Sequence, residues 1–317
     1  MILTVTLNPS VDKTYVIPRL DPGGINVVQD THAAAGGKGN NVARVLRVLG
    51  RPVRATGFLA GDAGRWIHRA LVAEGVDSRF VTVPGETRTC LALIDPEAGR
   101  VGEIREPGPT IARADQEKLL AELPGLATAC SFAVVSGSLP AGVAPSYLAA
   151  VVRTLRAAGL SVLLDAKGPA LEAALQAGPS LAKPNLEELS GLLGRPLAPE
   201  EAPAAAREAA KTWGVPMVVS LGPDGAVAAD PDGSLFIATA PSVTAINTVG
   251  AGDSMSAGLA SALAEGAGLA EALRVGVACG TASVLTEGIG IVRLPDVDDL
   301  LPRVVLRSEP GPRMAQD

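Results

Sequence analysis

The chain has 317 residues, of which 47% are hydrophobic and 19% charged, and its formal net charge is −6 at pH 7. This composition is typical of a globular protein with a large core, and the negative charge argues against a nucleic-acid partner, because phosphate backbones attract basic surfaces. No apolar run reaches the ~18 residues that a membrane span needs, and residues 1–7 lack the basic region of a signal peptide, so we expect a cytoplasmic protein without a membrane partner.

Short apolar runs alternate with amphipathic segments along most of the chain. The runs predict strands over residues 2–7, 54–58, 132–136, 161–165 and 217–221. The amphipathic segments predict helices over residues 41–49, 66–74, 145–158 and 202–213. This alternation indicates an α/β fold in which a parallel sheet has helices on both faces. Ligands of such sheets bind at the carboxyl ends of the strands.

Two stretches that read as extended interrupt this alternation, at about residues 13–33 and 86–106. The second contains a turn signal at residues 95–99, so it predicts a hairpin. Together the two stretches predict a small β-layer that covers the strand ends as a lid. We therefore expect one domain over residues 1–307, and a frayed tail over residues 308–317, which contain Pro and Gly without periodicity.

The segment 247–257 combines glycines and small residues with one carboxylate, Asp253. Met255, Leu259 and Leu263 recur at four-residue spacing, which predicts a helix that begins close to Asp253. The free N–H groups of its first turn would form an anion site, and the carboxylate would accept a proton from a hydroxyl as a phosphoryl group is transferred. The alternative is a flexible loop in which the aspartate caps the helix. A dinucleotide fingerprint fits poorly, because Met255 stands where its third glycine belongs.

A second glycine-rich segment, residues 35–41, precedes the first predicted helix. Its glycines allow the backbone to approach a ligand closely, and Lys38 supplies a positive charge for a phosphate. Alone, the segment could equally be a tight turn with a solvated lysine.

Six motifs follow one another in the order found in the ribokinase-like (PfkB) carbohydrate kinases, at residues 6–12, 36–43, 85–88, 136–140, 183–188 and 248–254. The chain is most similar to the branch of 1-phosphofructokinase and tagatose-6-phosphate kinase, and the resemblance extends over about residues 1–300. It implies a three-layer α/β/α core with a mostly parallel sheet and a small β-lid, with ATP as co-substrate and Mg²⁺ as cofactor.

The same resemblance implies roles for individual residues. Asp253 would be the catalytic base, next to an anion hole formed by Gly250, Ala251 and Gly252. The acceptor sugar would be bound by Asp12, Gly37, Lys38, Asn41 and Ser138. Arg88 would hold the phosphate that the substrate already carries, its alternative being a solvated arginine at a strand edge. Asp12 and Ser138 could instead be simple turn residues.

On the nucleotide side, the resemblance implies that Lys183 reaches the ATP phosphates. A loop with Ser220, Gly222 and Gly225 would contact the nucleotide, together with Gly252. Asn185 and Glu188 would organise Mg²⁺ through water, and their three-residue spacing would allow both to face it. Asp165, at a strand end, would assist in the same region. Asn247 departs from the family pattern, because potassium-activated relatives usually have Asp there.

The function implied is ATP-dependent phosphorylation of a phosphorylated ketohexose, with fructose 1-phosphate converted to fructose 1,6-bisphosphate. Tagatose 6-phosphate and fructose 6-phosphate are alternative substrates. A sugar-phosphate sensor that kept the fold without catalysis, and a kinase for an unphosphorylated sugar or nucleoside, are further alternatives. Intact Asp253, Lys183, Asn185 and Glu188 argue against the first, and Lys38 with Arg88 against the second. The family often pairs through its lid edges, so we expect a homodimer.

Overall fold

The computed structural model describes residues 1–311. Its strands are β1 (Ile2–Thr6), β2 (Ser10–Val16), β3 (Asp30–Gly36), β4 (Val53–Ala60), β5 (Asp77–Ser78), β6 (Val81–Val83), β7 (Arg88–Asp95), β8 (Arg100–Arg105), β9 (Phe132–Ser136), β10 (Ser161–Asp165), β11 (Leu181–Ala182), β12 (Met217–Ser220), β13 (Ala226–Ala229), β14 (Leu235–Thr239) and β15 (Val305–Glu309). The helices are α1 (Lys38–Val48), α2 (Gly61–Ala73), α3 (Arg113–Ala127), α4 (Pro145–Ala157), α5 (Gly168–Leu175), α6 (Leu186–Leu193), α7 (Ala202–Trp213), α8 (Ala251–Ala264), α9 (Leu269–Ser283) and α10 (Leu294–Leu300).

A large central sheet has the strand order β15-β14-β13-β12-β11-β10-β9-β1-β4-β5, and β6 pairs with the end of β4. The strands from β12 through β5 run parallel, whereas β13, β14 and β15 extend the sheet by antiparallel pairing. The predicted α/β fold with a mostly parallel sheet is therefore confirmed.

Two hydrophobic clusters pack on opposite faces of this sheet and form the three layers. Strand β9 shows why: Ala133 and Val135 belong to one cluster, while Phe132 and Val134 belong to the other. Successive side chains of a strand point to opposite faces, so both faces of a fully buried strand must be apolar. Helices α3, α4, α5 and α7 cover the first face, and α1, α2, α8 and α9 cover the second.

A separate four-stranded sheet, with the order β3-β2-β7-β8, forms the predicted lid. Strand β2 pairs antiparallel with β3 and parallel with β7, and β7 and β8 form the predicted hairpin. The strands begin at Ser10 and end at Gly36 in the first stretch, so the lid extends a few residues beyond the predicted 13–33.

Three predicted boundaries are wrong, and one of them is the start of α2, which lies at Gly61 rather than at residue 66. Helix α1 begins at Lys38 rather than near Asn41, because Gly37, with φ of 93°, serves as its N-cap. The predicted frayed tail at 308–317 is wrong for its first two residues, because Ser308 and Glu309 pair with β14 and Arg207 forms an ion pair with Glu309. The rest of that tail from residue 312 lies outside the described residues. Among residues 1–311, no helix is long and apolar enough to cross a membrane.

Candidate active site

A cleft of about 1010 Å³ lies at the carboxyl ends of the parallel strands, between the large sheet and the lid. The core contributes residues that follow β9, β10 and β11, and the first turn of α8. The lid contributes side chains from β2, β7 and β8. Eleven of the predicted site residues line this cleft: Asp12, Gly37, Lys38, Asn41, Arg88, Ser138, Asn185, Glu188, Gly250, Gly252 and Asp253.

Asp253 is buried in the first turn of α8, at the inner wall of the cleft. The side-chain amide of Asn41 donates a hydrogen bond to its Oδ2 at 2.9 Å. Burial raises the pKa of Asp253 to about 6, whereas the positive charge of Lys38 and this hydrogen bond act in the opposite direction. A carboxylate with a pKa near the working pH is suited to accept a proton from a hydroxyl.

The backbone before Asp253 has the geometry of an anion site. Gly250, the N-cap of α8, has φ of 88°, and a β-carbon there would lie 2.5 Å from the backbone nitrogen of Gly290. Only glycine therefore fits at this position without displacing the loop around Gly290. The backbone N–H of Ala251 donates to the oxygen of Thr248 at 3.4 Å, whereas those of Gly252 and Asp253 have no acceptor within residues 1–311. These two groups are the free donors of the helix N-terminus, which favours a negatively charged group.

Two lysines share the carboxylate of Asp165, which is completely buried at the end of β10. The Nζ of Lys38 lies 2.8 Å from Oδ1, and the Nζ of Lys183 lies 3.1 Å from Oδ2. Burial by itself would raise the pKa of Asp165, but the two ammonium groups hold it well below its usual value. The same carboxylate raises the pKa of Lys38. Lys183 lies behind the cleft wall, and a β-carbon at Gly252 would be 3.6 Å from its Nζ.

Asp12 projects from β2 of the lid toward the glycine-rich turn that precedes α1. A β-carbon at Gly36 would lie 2.0 Å from the Cγ of Asp12, so the glycine is required for this close packing. Burial raises the pKa of Asp12, although a hydrogen bond from the hydroxyl of Ser10 lowers it. A buried carboxylate at a cleft wall can accept hydrogen bonds from sugar hydroxyls.

Arg88, at the start of β7, extends its guanidinium into the cleft. One terminal nitrogen donates to the backbone oxygen of Asn8 at 3.1 Å, whereas the buried Nε has no partner among the described residues. The hydroxyl of Ser138 accepts a hydrogen bond from the side chain of the same Asn8 at 3.2 Å. The other terminal nitrogen of Arg88 donates no hydrogen bond within residues 1–311, and an anionic ligand in the cleft would supply acceptors for it.

Asn185 and Glu188 form a capping box at the start of α6. The Oδ1 of Asn185 accepts from the backbone N–H of Glu188 at 2.8 Å, and the Oε2 of Glu188 accepts from the backbone N–H of Asn185 at 2.9 Å. Their three-residue spacing therefore has a structural cause of its own. The second carboxylate oxygen of Glu188 accepts no hydrogen bond within residues 1–311, and both side chains line the cleft.

The structure does not bring every predicted residue to the cleft. Ser220 ends β12, Gly222 and Gly225 lie in the turn between β12 and β13, and none of the three is part of the cleft lining. Gly225 has φ of 100°, and a β-carbon there would lie 2.1 Å from the backbone oxygen of Ala238, so packing alone explains this glycine. The predicted nucleotide role of this turn is left as a prediction. Ala251 contributes to the start of α8 but is also absent from the lining.

Several cleft residues were not predicted. Lys167 lines the cleft after β10, and Glu103 and Arg105 form an ion pair on β8 of the lid. Arg105 lies directly opposite Cys90 in the β7–β8 pairing. Because Cys90 also lines the cleft, this pairing brings Arg105 to the site. The alternation of side chains along the hairpin could have indicated Glu103 and Arg105, but only with the register known.

Asn247, which stands where potassium-activated relatives usually have Asp, is buried and engaged at both ends of its amide. Its Oδ1 accepts from the backbone N–H of Val249 at 3.0 Å, and its Nδ2 donates to the backbone oxygen of Glu287 at 2.9 Å. The amide therefore stabilises the loop that leads into α8, and its NH₂ group is a donor where a carboxylate would only accept.

The chain is similar to known carbohydrate kinases. The family model for pfkB family carbohydrate kinases matches residues 5–296. The tagatose-6-phosphate kinase of Staphylococcus epidermidis is 35% identical over 308 residues, covering 96% of this chain and 98% of the relative.

Two solved structures have the same fold. Phosphofructokinase-2 of Escherichia coli in complex with potassium has a TM-score of 0.87 and 32% identity, covering 95% of this chain and 98% of that one. The same Escherichia coli protein has been solved in a tetrameric inhibited form. A possible 1-phosphofructokinase of Thermotoga maritima has a TM-score of 0.87 and 26% identity, covering 98% of this chain and 99% of that one.

Proposed function

The chain belongs to the pfkB family of carbohydrate kinases and is thus a phosphotransferase that acts on a sugar hydroxyl, and we propose that its substrate is a phosphorylated ketohexose, fructose 1-phosphate. ATP donates the phosphoryl group, and the product is fructose 1,6-bisphosphate. The observation that supports a phosphorylated acceptor is the guanidinium of Arg88, which lines the same cleft as Asp253 and makes only one hydrogen bond within residues 1–311, to the backbone oxygen of Asn8.

The proposed mechanism assigns one task to each group. Asp253 takes the proton of the sugar hydroxyl as that oxygen attacks the γ-phosphorus, and Asn41 holds the carboxylate in place. The free N–H groups of Gly252 and Asp253 stabilise the charge on the transferred phosphoryl group. Asp12 and Ser138 orient the sugar, and the lid excludes water from the cleft.

Lys38 and Lys183 provide positive charge on the two sides of the transferred group, the sugar side and the nucleotide side. Lys38 lines the cleft with a half-exposed side chain, whereas Lys183 is buried against Gly252. Positive groups fixed in a water-poor site stabilise the transition state more than they would in water.

The residues present fit the proposed magnesium role of Asn185 and Glu188. A carboxylate oxygen of Glu188 remains available beside the cleft, and oxygen ligands reached through water suit Mg²⁺. When bound, the ion would neutralise negative charge on the ATP phosphates.

Tagatose 6-phosphate is the second candidate substrate, and the specific observation in its favour is the 35% identity with the Staphylococcus epidermidis enzyme over nearly the whole chain. The similarity to phosphofructokinase-2 supports fructose 6-phosphate as a third candidate substrate. A cytoplasmic location is also a proposal, supported by the metabolic character of these relatives. A homodimer is proposed from the exposed lid edge, where Val101 and Ile104 of the edge strand β8 are among the exposed apolar residues.

A panel of acceptors tests the proposal. ADP formation is measured with fructose 1-phosphate, fructose 6-phosphate, tagatose 6-phosphate, fructose and ribose at saturating ATP and Mg²⁺. The proposal expects the highest kcat/KM with fructose 1-phosphate and little turnover of the unphosphorylated sugars. Preference for another phosphosugar would reassign the substrate and retain the mechanism. Preference for fructose or ribose would contradict the role of Arg88, and turnover of none of them would favour the sensor.

A further inference from the structure

We infer that Asp165 is a positioning residue, a buried counter-ion that fixes Lys38 and Lys183 relative to each other and to helix α8, rather than a direct ligand of magnesium. The expected loss of kcat on substitution of Asp165 rests on the proposed phosphoryl transfer. The structural basis of the inference is independent of the substrate, because it concerns only contacts within this chain.

Four separate segments meet at this carboxylate. Lys38 is the first residue of α1, Lys183 follows β11, and Ser256 lies on α8 three residues after the base Asp253. The hydroxyl of Ser256 donates to Oδ2 of Asp165 at 3.1 Å, the same oxygen that Lys183 contacts. The other oxygen contacts Lys38 at 2.8 Å. Asp165 therefore links the acceptor side, the nucleotide side and the catalytic helix through one side chain.

These contacts disfavour direct binding of magnesium by Asp165. Both carboxylate oxygens already accept hydrogen bonds from charged donors, and the side chain has no exposed surface. A divalent cation placed against the carboxylate would also lie within a few ångströms of two ammonium groups, and like charges repel strongly where water is excluded. The role predicted for Asp165 at the metal site is thus better met by Asn185 and Glu188.

The two lysines depend on Asp165 for their positions. Their ammonium groups are held at either side of one carboxylate, so without its charge they would repel each other and separate. Asp165→Asn therefore leaves the site more positive but less ordered. Binding of the anionic substrates is maintained or strengthened by the added charge, whereas the transition state loses charges placed at fixed positions.

The kinetic test compares Asp165→Asn with the matched control Ser256→Ala, which removes one hydrogen bond to the same carboxylate and no charge. We expect kcat of Asp165→Asn to fall roughly 10- to 100-fold, the size of effect that a displacement of about 1 Å produces. KM for ATP and for the phosphosugar should not rise. Ser256→Ala loosens only the link to α8 and leaves both lysines paired with the carboxylate, so it should lower kcat by a smaller factor than Asp165→Asn. An unchanged kcat in Asp165→Asn would overturn the inference.

A binding measurement without turnover separates this inference from the proposed function. Isothermal titration calorimetry of the non-hydrolysable analogue AMP-PNP is carried out in EDTA and again with Mg²⁺, for the wild-type protein and Asp165→Asn. A positioning role predicts an affinity in the variant that equals or exceeds the wild-type value under both conditions. A loss of affinity that appears only with Mg²⁺ would make Asp165 a metal ligand and overturn the inference. This comparison decides the matter even if the wild-type protein phosphorylates none of the sugars.

If Asp165→Asn does not fold, the double variant Lys38→Met/Asp165→Asn restores the balance of charge and takes its place. The quantity to measure is the loss of kcat caused by Asp165→Asn in the Lys38→Met background. This loss should be smaller than the 10- to 100-fold expected in the wild-type background, because one of the two positioned lysines is already absent. A full 10- to 100-fold loss in the Lys38→Met background would overturn the inference, since the effect of Asp165 would then be independent of Lys38.

Discussion

The side-chain amide of Asn41 hydrogen-bonds the carboxylate of Asp253 at 2.9 Å, joining residues that are 212 positions apart in the chain. The contact connects α1, which follows the lid, with α8, which carries the base and the anion site. Because the donor favours the ionised carboxylate, this bond partly offsets the burial that raises the pKa of Asp253.

The pH dependence of the reaction follows from this site. Asp253 must be ionised to accept a proton, and its pKa is about 6, so kcat/KM should fall as the pH decreases below that value. In Asn41→Ala the hydrogen bond that lowers this pKa is lost, so the acid limb should move to higher pH. Profiles of kcat/KM between pH 5 and 9 locate the acid limb of the wild-type protein and of Asn41→Ala. An acid limb that moves to lower pH in Asn41→Ala would contradict the account.

Asp253→Asn should stabilise the fold at neutral and alkaline pH. The pKa of Asp253 is higher in the folded chain, at about 6, than its ordinary value of 3.8, so the folded state retains a proton that the unfolded state has released between these values. Stability therefore falls as the pH rises through that window, and the cost is complete above pH 6. Removing the charge should raise the free energy of unfolding at pH 8 by about 1–3 kcal/mol. Urea unfolding should show little gain at pH 4, and a loss at pH 8 would contradict this reasoning.

Arg88→Ala should weaken binding of the phosphosugar selectively. The variant removes the guanidinium that carries the unpartnered Nε, and we expect KM for the phosphosugar to rise about 10- to 100-fold, the cost of losing a hydrogen bond to a charged group. KM for ATP should be unchanged. Arg113→Ala, which removes an exposed arginine of α3 paired with Glu117, is the control and should leave both constants unaltered. Full retention of phosphosugar affinity in Arg88→Ala would show that the arginine has another role.

Two glycines of the anion site should respond differently to alanine. Gly250 has a positive φ and no space for a β-carbon, so Gly250→Ala should lower the free energy of unfolding by about 1–3 kcal/mol. At Gly252 a β-carbon would be 3.6 Å from the Nζ of Lys183, an ordinary contact, so Gly252→Ala should unfold like the wild-type protein. Its kcat should nevertheless fall, because the methyl group would crowd the anion site. Thermal unfolding and steady-state kinetics separate the two effects, and equal stability of the two variants would contradict the assignment.

Much of the fold could be predicted because local patterns agree with the final structure. Strands β9 and β10 begin and end at the predicted residues, because each is an apolar run bounded by turn residues. The antiparallel extension by β13, β14 and β15 was not predicted. Val305–Glu309 has no continuous apolar run and becomes a strand only because the edge of β14 offers unpaired backbone groups.

The residues of the candidate site could be predicted from the motifs, whereas most contacts between the motifs could not. Asp253 and the glycines before it belong to one helix start, so their proximity follows from the chain itself. The bonds of Asp165 to Lys38 and Lys183 join residues 127 and 18 positions apart, and the spacing along the chain gives no indication of them. The capping box at α6 is the opposite case, because here the spacing along the chain predicts more than one role. The spacing of Asn185 and Glu188 predicts a metal motif, and the same two side chains accept hydrogen bonds from the backbone N–H groups at the start of α6.

The central claim is that Asp253 is the base for transfer of phosphate from ATP to a phosphosugar. It is tested most directly by ³¹P NMR of the products formed from ATP and fructose 1-phosphate by wild-type protein and by Asp253→Asn. The account predicts ADP and fructose 1,6-bisphosphate in equal amounts with the wild-type protein, and a rate about 10²- to 10⁴-fold lower with the variant. Undiminished formation of the bisphosphate by Asp253→Asn would contradict the claim.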